Sequence, residues 1–277
     1  VGGGGATNEL LDVLRVQQRL RYLNYRGERI GSGDAASIPE VEVTGAVNLA
    51  TRQAIKLFKA SVSPDGNGDP AIETDVVSPD QSAVRWLNSP DAPVWTQIRT
   101  ALVNRINIGN EVWDTHWTIQ KIENAHAARP ELKRTTAHEE FGVNSLTEYP
   151  DEGVPATSGD NVNHPNHSHK SGLNIDVELD REALNDGDAT EEQNTVDDIL
   201  AFVGADGVQI RSIYVGQNSG EYASVRTAVQ AAIDDPAQNL PAVPDLNFAT
   251  GHFHHFSIDF LPPQLDERLT ANTRTNL

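Results

Sequence analysis

Cysteine is absent from the 277 residues, which excludes disulfides and thiolate metal sites and leaves His, Asp and Glu as the side chains able to hold a transition metal. No apolar run approaches the ~18 residues of a membrane-crossing helix, so membrane insertion is not expected. Basic residues are scarce: 21 Lys and Arg stand against 40 Asp and Glu, a formal charge of −19. Phosphate binding needs clustered cations, so nucleic acid is not an expected partner, and an acidic membrane surface is disfavoured for the same reason. Such a balance suits a soluble monomer. The opening Val1-Gly2-Gly3-Gly4-Gly5 is neither a signal peptide nor a translation start and reads as a processed N-terminus.

What the chain does have is histidine in two clusters. Of nine in all, His164, His167 and His169 share one loop, and His252, His254 and His255 share another short stretch. Each cluster runs into a segment of alternating polarity. Leu173, Ile175, Val177 and Leu179 alternate with Asn174, Asp176 and Glu178, the period-two pattern of a strand with one buried face, so Asp176 is expected to point away from the core. Gly172, lacking a Cβ, allows a sharp turn through which His169 can fold back over Asp176. Phe256, Ile258 and Phe260 likewise alternate with Ser257 and Asp259. Zinc accepts nitrogen and oxygen ligands, and a hydrolytic site uses three of them plus a position for water. His169 and Asp176 supply two, and the later cluster offers the third. Alternation sets His255, Ser257 and Asp259 on the face opposite the phenylalanines, which favours His255 as the third ligand. A bulge at the strand entry would turn His254 to that face instead.

The run Ser168-His169-Lys170-Ser171-Gly172-Leu173-Asn174-Ile175-Asp176 resembles the Ser-x-His-x-x-Gly-x-x-x-Asp signature of zinc peptidoglycan peptidases. These are the D-Ala-D-Ala carboxypeptidases and dipeptidases of the VanY/VanX type and the penicillin-insensitive murein endopeptidases, which share a fold with the hedgehog signalling domain. The serine is displaced by one, His167 standing in its place. The family closes its site with a late His-rich or Glu-x-x-His strand, to which Gly251-His252-Phe253-His254-His255 is similar. The resemblance covers roughly residues 110 to 262. It implies Zn2+ on His169, Asp176 and His255, with His252 and His254 as catalytic candidates, and hydrolysis of peptide bonds in peptidoglycan stem peptides. It also implies an arginine on the developing oxyanion; Arg129, Lys133 and Arg134 precede the site, but none sits in a matching motif. A non-catalytic, zinc-stabilised wall-binding protein and a phage-type endolysin are the alternatives.

A second resemblance lies near the start. Val13, Val16, Gln17, Leu20 and Leu23 fall at helical spacing with Thr7 placed to cap, and a second helix follows Thr51 with Ala54, Ile55 and Phe58 on one face. Two such helices make a module too small for a deep pocket, so binding is expected rather than catalysis. Val16-Gln17 to Tyr25 and Val43 to Lys59 resemble the common peptidoglycan-binding domain, with Asn24 and Asn48 in the places of its two glycines and Lys59 for its final Gln. Residues 62 to 92, rich in Pro, Gly, Ser and Asp, read as a linker.

Further along, apolar residues recur at helical intervals from Val94 to Ile106 and from Glu111 to Ala128, with Trp95, Trp113 and Trp117 expected as core anchors. Strands are expected over Phe141 to Leu146 and Val208 to Val215, and helices over Val196 to Val203 and Ala223 to Ile233. The sum is an α+β domain with a mainly antiparallel sheet and flanking helices carrying a zinc site, preceded by a small all-α module. The expected division is 1–62 peptidoglycan-binding domain, 63–92 linker and 93–277 peptidase domain, in a monomeric extracellular or periplasmic protein associated with the cell wall.

Overall fold

The structure is a computed structural model that describes residues 1–3, 5–26, 40–64, 68, 73–79, 81–97, 113–130, 135–136, 139–140, 142–145, 171–178, 189–216, 220–248 and 255–265; of 97, 113, 135–136, 139–140, 142–145, 178 and 255 it describes the backbone. The chain falls into two compact units, one containing Val1–Thr96 and the other Gln97–Thr147 with Leu173–Leu261.

In the first unit, helix α1 (Leu10–Tyr22) turns Val13, Gln17 and Leu20 inward, the i, i+4, i+7 spacing of one helical face. Thr7 does not cap it; Glu9 occupies the N-cap and makes no side-chain capping bond. Helix α2 (Leu49–Ser61) starts before Thr51 because the Asn48 side chain accepts from the Thr51 amide at 2.8 Å, the N-cap use for which asparagine is well suited. Asn24 has φ +63°, so asparagine, which tolerates the left-handed region, stands at a turn that glycine could also make. Gln17 is fully buried with its amide satisfied: Nε2 donates to the Ala46 carbonyl at 2.9 Å, and Oε1 accepts from the Thr44 and Gly45 amides at 3.0 and 2.9 Å. A buried amide so occupied ties the 44–46 turn to α1.

Residues 82–88, read from composition as part of a linker, form helix α3 (Ser82–Asn88), which buries Ala83, Trp86 and Leu87. Arg19 of α1 donates to the carbonyls of Leu87 and Ser89. The helix expected over Val94 to Ile106 gives way at its start to strand β1 (Trp95–Gln97). There the Trp95 amide bonds the Leu23 carbonyl at 3.0 Å, and the Trp95 ring meets Tyr25 edge-on at 6.0 Å. Tertiary bonding of an extended backbone outweighs the helical spacing.

The second unit begins with strand β2 (Trp113–Thr115) and helix α4 (His116–Ala128), which starts at the Thr115 N-cap rather than at Glu111. Strands β3 (Thr135–Thr136) and β4 (Glu139–Glu140) form a small antiparallel pair. The main sheet joins β5 (Gly142–Ser145), β6 (Asn174–Glu178), β7 (Ile210–Val215), β8 (Asp245–Phe248) and β9 (His255–Phe260) in the order β5-β6-β9-β7-β8. Helix α5 (Ala189–Gly204) lies between β6 and β7 in sequence, and α6 (Gly220–Asp234) between β7 and β8. The antiparallel expectation holds for β5-β6, β6-β9 and β9-β7, whereas β7 and β8 are parallel. A parallel pair needs a crossover, and α6 supplies it. The edge strand β8 has no counterpart among the strands expected from the sequence.

One face of this sheet is apolar: Leu173, Ile175, Val177, Ile213, Val215, Phe256, Ile258 and Phe260 are all fully buried. Phe202 of α5 meets Phe256 edge-on at 6.3 Å, so α5 lies on this face. Helix α4 is tied to α5 at two points. Arg129 pairs with Asp197 and Asp198, and the Lys121 ammonium donates to the Ala205 carbonyl just beyond α5. Burial pushes the Lys121 pKa down from 10.5 to about 8, against a smaller upward pull from Asp206. Between those two values the unfolded chain holds a proton that the folded chain has released, so stability rises with pH there. The melting temperature of the wild type is therefore expected to rise relative to that of Lys121→Met from pH 8 to 10; parallel curves would contradict the burial of that charge.

Candidate polar site on the central sheet

The other face of the sheet is built by the alternate residues of the same strands. Register sets Asp176 of β6 opposite Ser257 of β9, with Tyr214 of β7 on the far side of Ser257. One row along, Asn174 stands opposite Asp259, with Ser212 beyond it. Two rows of three polar residues thus lie side by side on three strands. They are packed rather than washed by solvent: Asn174, Ser257 and Asp259 have no exposed surface, while Asp176 is half-buried.

In the first row the Ser257 hydroxyl donates to Oδ1 of Asp176. In the second, Asp259 collects three donors: Nδ2 of Asn174, a guanidinium nitrogen of Arg211, and the Ser212 hydroxyl at 2.8 Å. A buried carboxylate is tolerable when an opposite charge and hydrogen bonds surround it. Arg211 reaches Asp259 because β7 carries one extra residue between Ile210, paired with Phe260, and Ser212, paired with Asp259. Plain alternation would have sent Arg211 to the opposite face from Ser212; a bulge re-aims it. Because a carboxylate only accepts, Asn174 must turn its NH2 toward Asp259, and its buried Oδ1 has no hydrogen-bond partner among the described residues.

Of the ligand and catalytic candidates read from the sequence, Asp176 and the backbone of His255 are described. His255 opens β9 paired with Glu178, two pairs along from Asp176 and Ser257. His169, His252 and His254 lie outside the described residues, as do Lys133 and Arg134. Gly172 takes φ +72° just before β6, the left-handed turn expected of it. Arg129 is committed elsewhere, its guanidinium held by Asp197, Asp198 and Asn194, which removes it as an oxyanion candidate. Among the described residues no three His, Asp or Glu side chains stand together as a metal site would require. Half the wall was legible in sequence, since alternation places Asn174 with Asp176 and Ser257 with Asp259. Arg211 and Ser212 carry no such signal, because a bulge leaves no mark in composition. No protein-family model, curated protein or solved structure matches the chain, and no helix of the described residues is long and apolar enough to cross a membrane.

Proposed function

We propose that the chain is a zinc-dependent peptidase acting on peptidoglycan stem peptides, a monomer held at the cell wall outside the cytoplasm by its N-terminal module. One observation carries this reading. The segments opened by the two histidine clusters run as antiparallel neighbours, with Asp176 and Ser257 paired across 81 positions of sequence. The strands that follow the two clusters are therefore neighbours, which supports the reading that the motifs share one ion. The donors fit the metal in kind: His169 and His255 offer imidazole nitrogen and Asp176 a carboxylate oxygen already oriented by a hydroxyl, the mixed nitrogen and oxygen set that zinc takes. His254 is the alternative to His255.

Zinc bound there would polarise the scissile carbonyl and make a water nucleophilic near neutral pH. The chain's own contribution is to hold the ion's position through the rigid β6-β9 pair and to move the proton. On this reading His252 takes the proton from the attacking water and returns it to the leaving amine as the peptide bond breaks. Metal analysis of protein purified without chelator is expected to give about one equivalent of zinc, and mass spectrometry of digested muropeptides to show a new carboxyl and a new amine at one bond. Absence of zinc would sink the reading, and zinc without any product would leave the non-catalytic alternative.

The module makes a separable prediction. Residues 1–96 contain their own core around Leu20, Tyr25, Ile55, Phe58, Trp86 and Trp95, so on their own they are expected to pellet with insoluble peptidoglycan and, in excess, to displace the full chain. Failure to pellet when folded removes the wall-anchoring role, since tethering works only through a module that binds by itself.

A further inference from the structure

We infer that Ser257, outside the proposed ligand set, is a positioning residue for Asp176, fixing the carboxylate that would hold zinc; the inference rests on the zinc reading and adds a residue to it. Ser257 occupies the middle of the central strand β9, with β6 on one side and β7 on the other, and has no exposed surface. At such a position a β-branched apolar residue packs best, and a buried hydroxyl is unfavourable unless it is bonded. Its bond is to Oδ1 of Asp176, and the direction is forced, because an ionised carboxylate accepts and does not donate. The partly exposed carboxylate is thereby held from the interior by a fully buried group. Ligating carboxylates in metal sites are oriented by such second partners.

The neighbouring row fixes the pairing that makes this contact. A slip of β9 by two residues would keep its faces correct yet set Asp259 against Asp176, two carboxylates in one cross-strand pair, which is destabilising. In the observed register Asp259 is instead bound by Asn174, Arg211 and Ser212. Ser212 is the natural control for Ser257: it is equally buried, on the adjacent strand and the same face, but its hydroxyl serves Asp259.

The test uses the full chain, with zinc affinity measured by competition against a chromophoric chelator and thermal stability measured on the metal-free protein. Ser257→Ala is expected to weaken zinc binding by about 10- to 100-fold, the usual effect of removing a group that orients a ligand. Ser212→Ala is expected to lower stability and to leave zinc affinity within about threefold, since it does not touch Asp176. Equal effects of the two substitutions on zinc, or an unchanged affinity in folded Ser257→Ala, would overturn the positioning role while leaving the zinc reading intact. Should Ser257→Ala not fold, Ser257→Thr keeps the hydroxyl: affinity within about threefold of wild type supports the role, and a tenfold loss in the folded protein overturns it. A wild-type chain that binds no zinc would overturn the functional reading and this inference together.

Discussion

Alanine at His169 or at Asp176 is expected to abolish zinc binding and muropeptide hydrolysis together. With three protein ligands, loss of one leaves two, and two donors bind zinc too weakly to hold it at ordinary free-metal concentrations. The same logic separates the two candidates for the third ligand. His255 lies in β9 itself, paired with Glu178 and two positions from Ser257, so His255→Ala is expected to lose the metal, whereas His254→Ala keeps it. His252→Ala should retain zinc and lose turnover by roughly 10²-fold or more, as removal of a general base does. The outcome that would reverse the ligand assignment is zinc kept in His255→Ala and lost in His254→Ala. Full activity in either His169→Ala or Asp176→Ala would mean that the site lies elsewhere.

The second large effect is on stability. Asp259→Leu removes a carboxylate that is fully buried and leaves the Arg211 guanidinium, the Asn174 amide and the Ser212 hydroxyl facing an apolar group. Breaking a buried pair from one side costs about 3–5 kcal/mol, because the surviving charge stays desolvated. At about 2–4 °C per kcal/mol for a unit of this size, the melting temperature should fall by roughly 6–20 °C. Removing both charges in Asp259→Leu/Arg211→Leu is expected to recover a large part of that loss, since no uncompensated ion remains. A melting temperature for Asp259→Leu within a degree or two of wild type would show that the carboxylate is not held as described.

Elements whose burial follows a single period were legible in the sequence. Strand β6 and the apolar side of β9 were readable from alternation because each has one face wholly apolar, and α1 and α2 from the spacing of Val13, Leu20, Ile55 and Phe58. Two elements escape such a reading, each for its own reason. Trp95 lies in a run with helical spacing, yet its amide bonds the Leu23 carbonyl and its ring packs on Tyr25, tertiary contacts about 70 positions away that no local window contains. Strand β8 was missed because it is a short edge strand whose pattern of one buried residue, Leu246, in four offers no alternation to count. In the site, the residues on β6 and β9 were readable face by face, while the Arg211 contact depends on a bulge and so on geometry alone.

The order β5-β6-β9-β7-β8 makes the last of these strands in the chain the central one. Until residues 255–260 arrive, β6 and β7 have no strand between them. During synthesis the sheet cannot close when β6 emerges, nor when β7 and β8 pair through the α6 crossover; it waits for some 80 further residues after Asp176. Closing loops of that length before any ladder bond is gained slows folding and raises the contact order. The unit is thus expected to fold after, rather than during, the emergence of β6 to β8, with the insertion of β9 as the committing step. The Asp176–Ser257 pair comes into being at that same step, so a nascent or clipped chain lacking residues 255–260 carries Asp176 without the strand that supplies its partner.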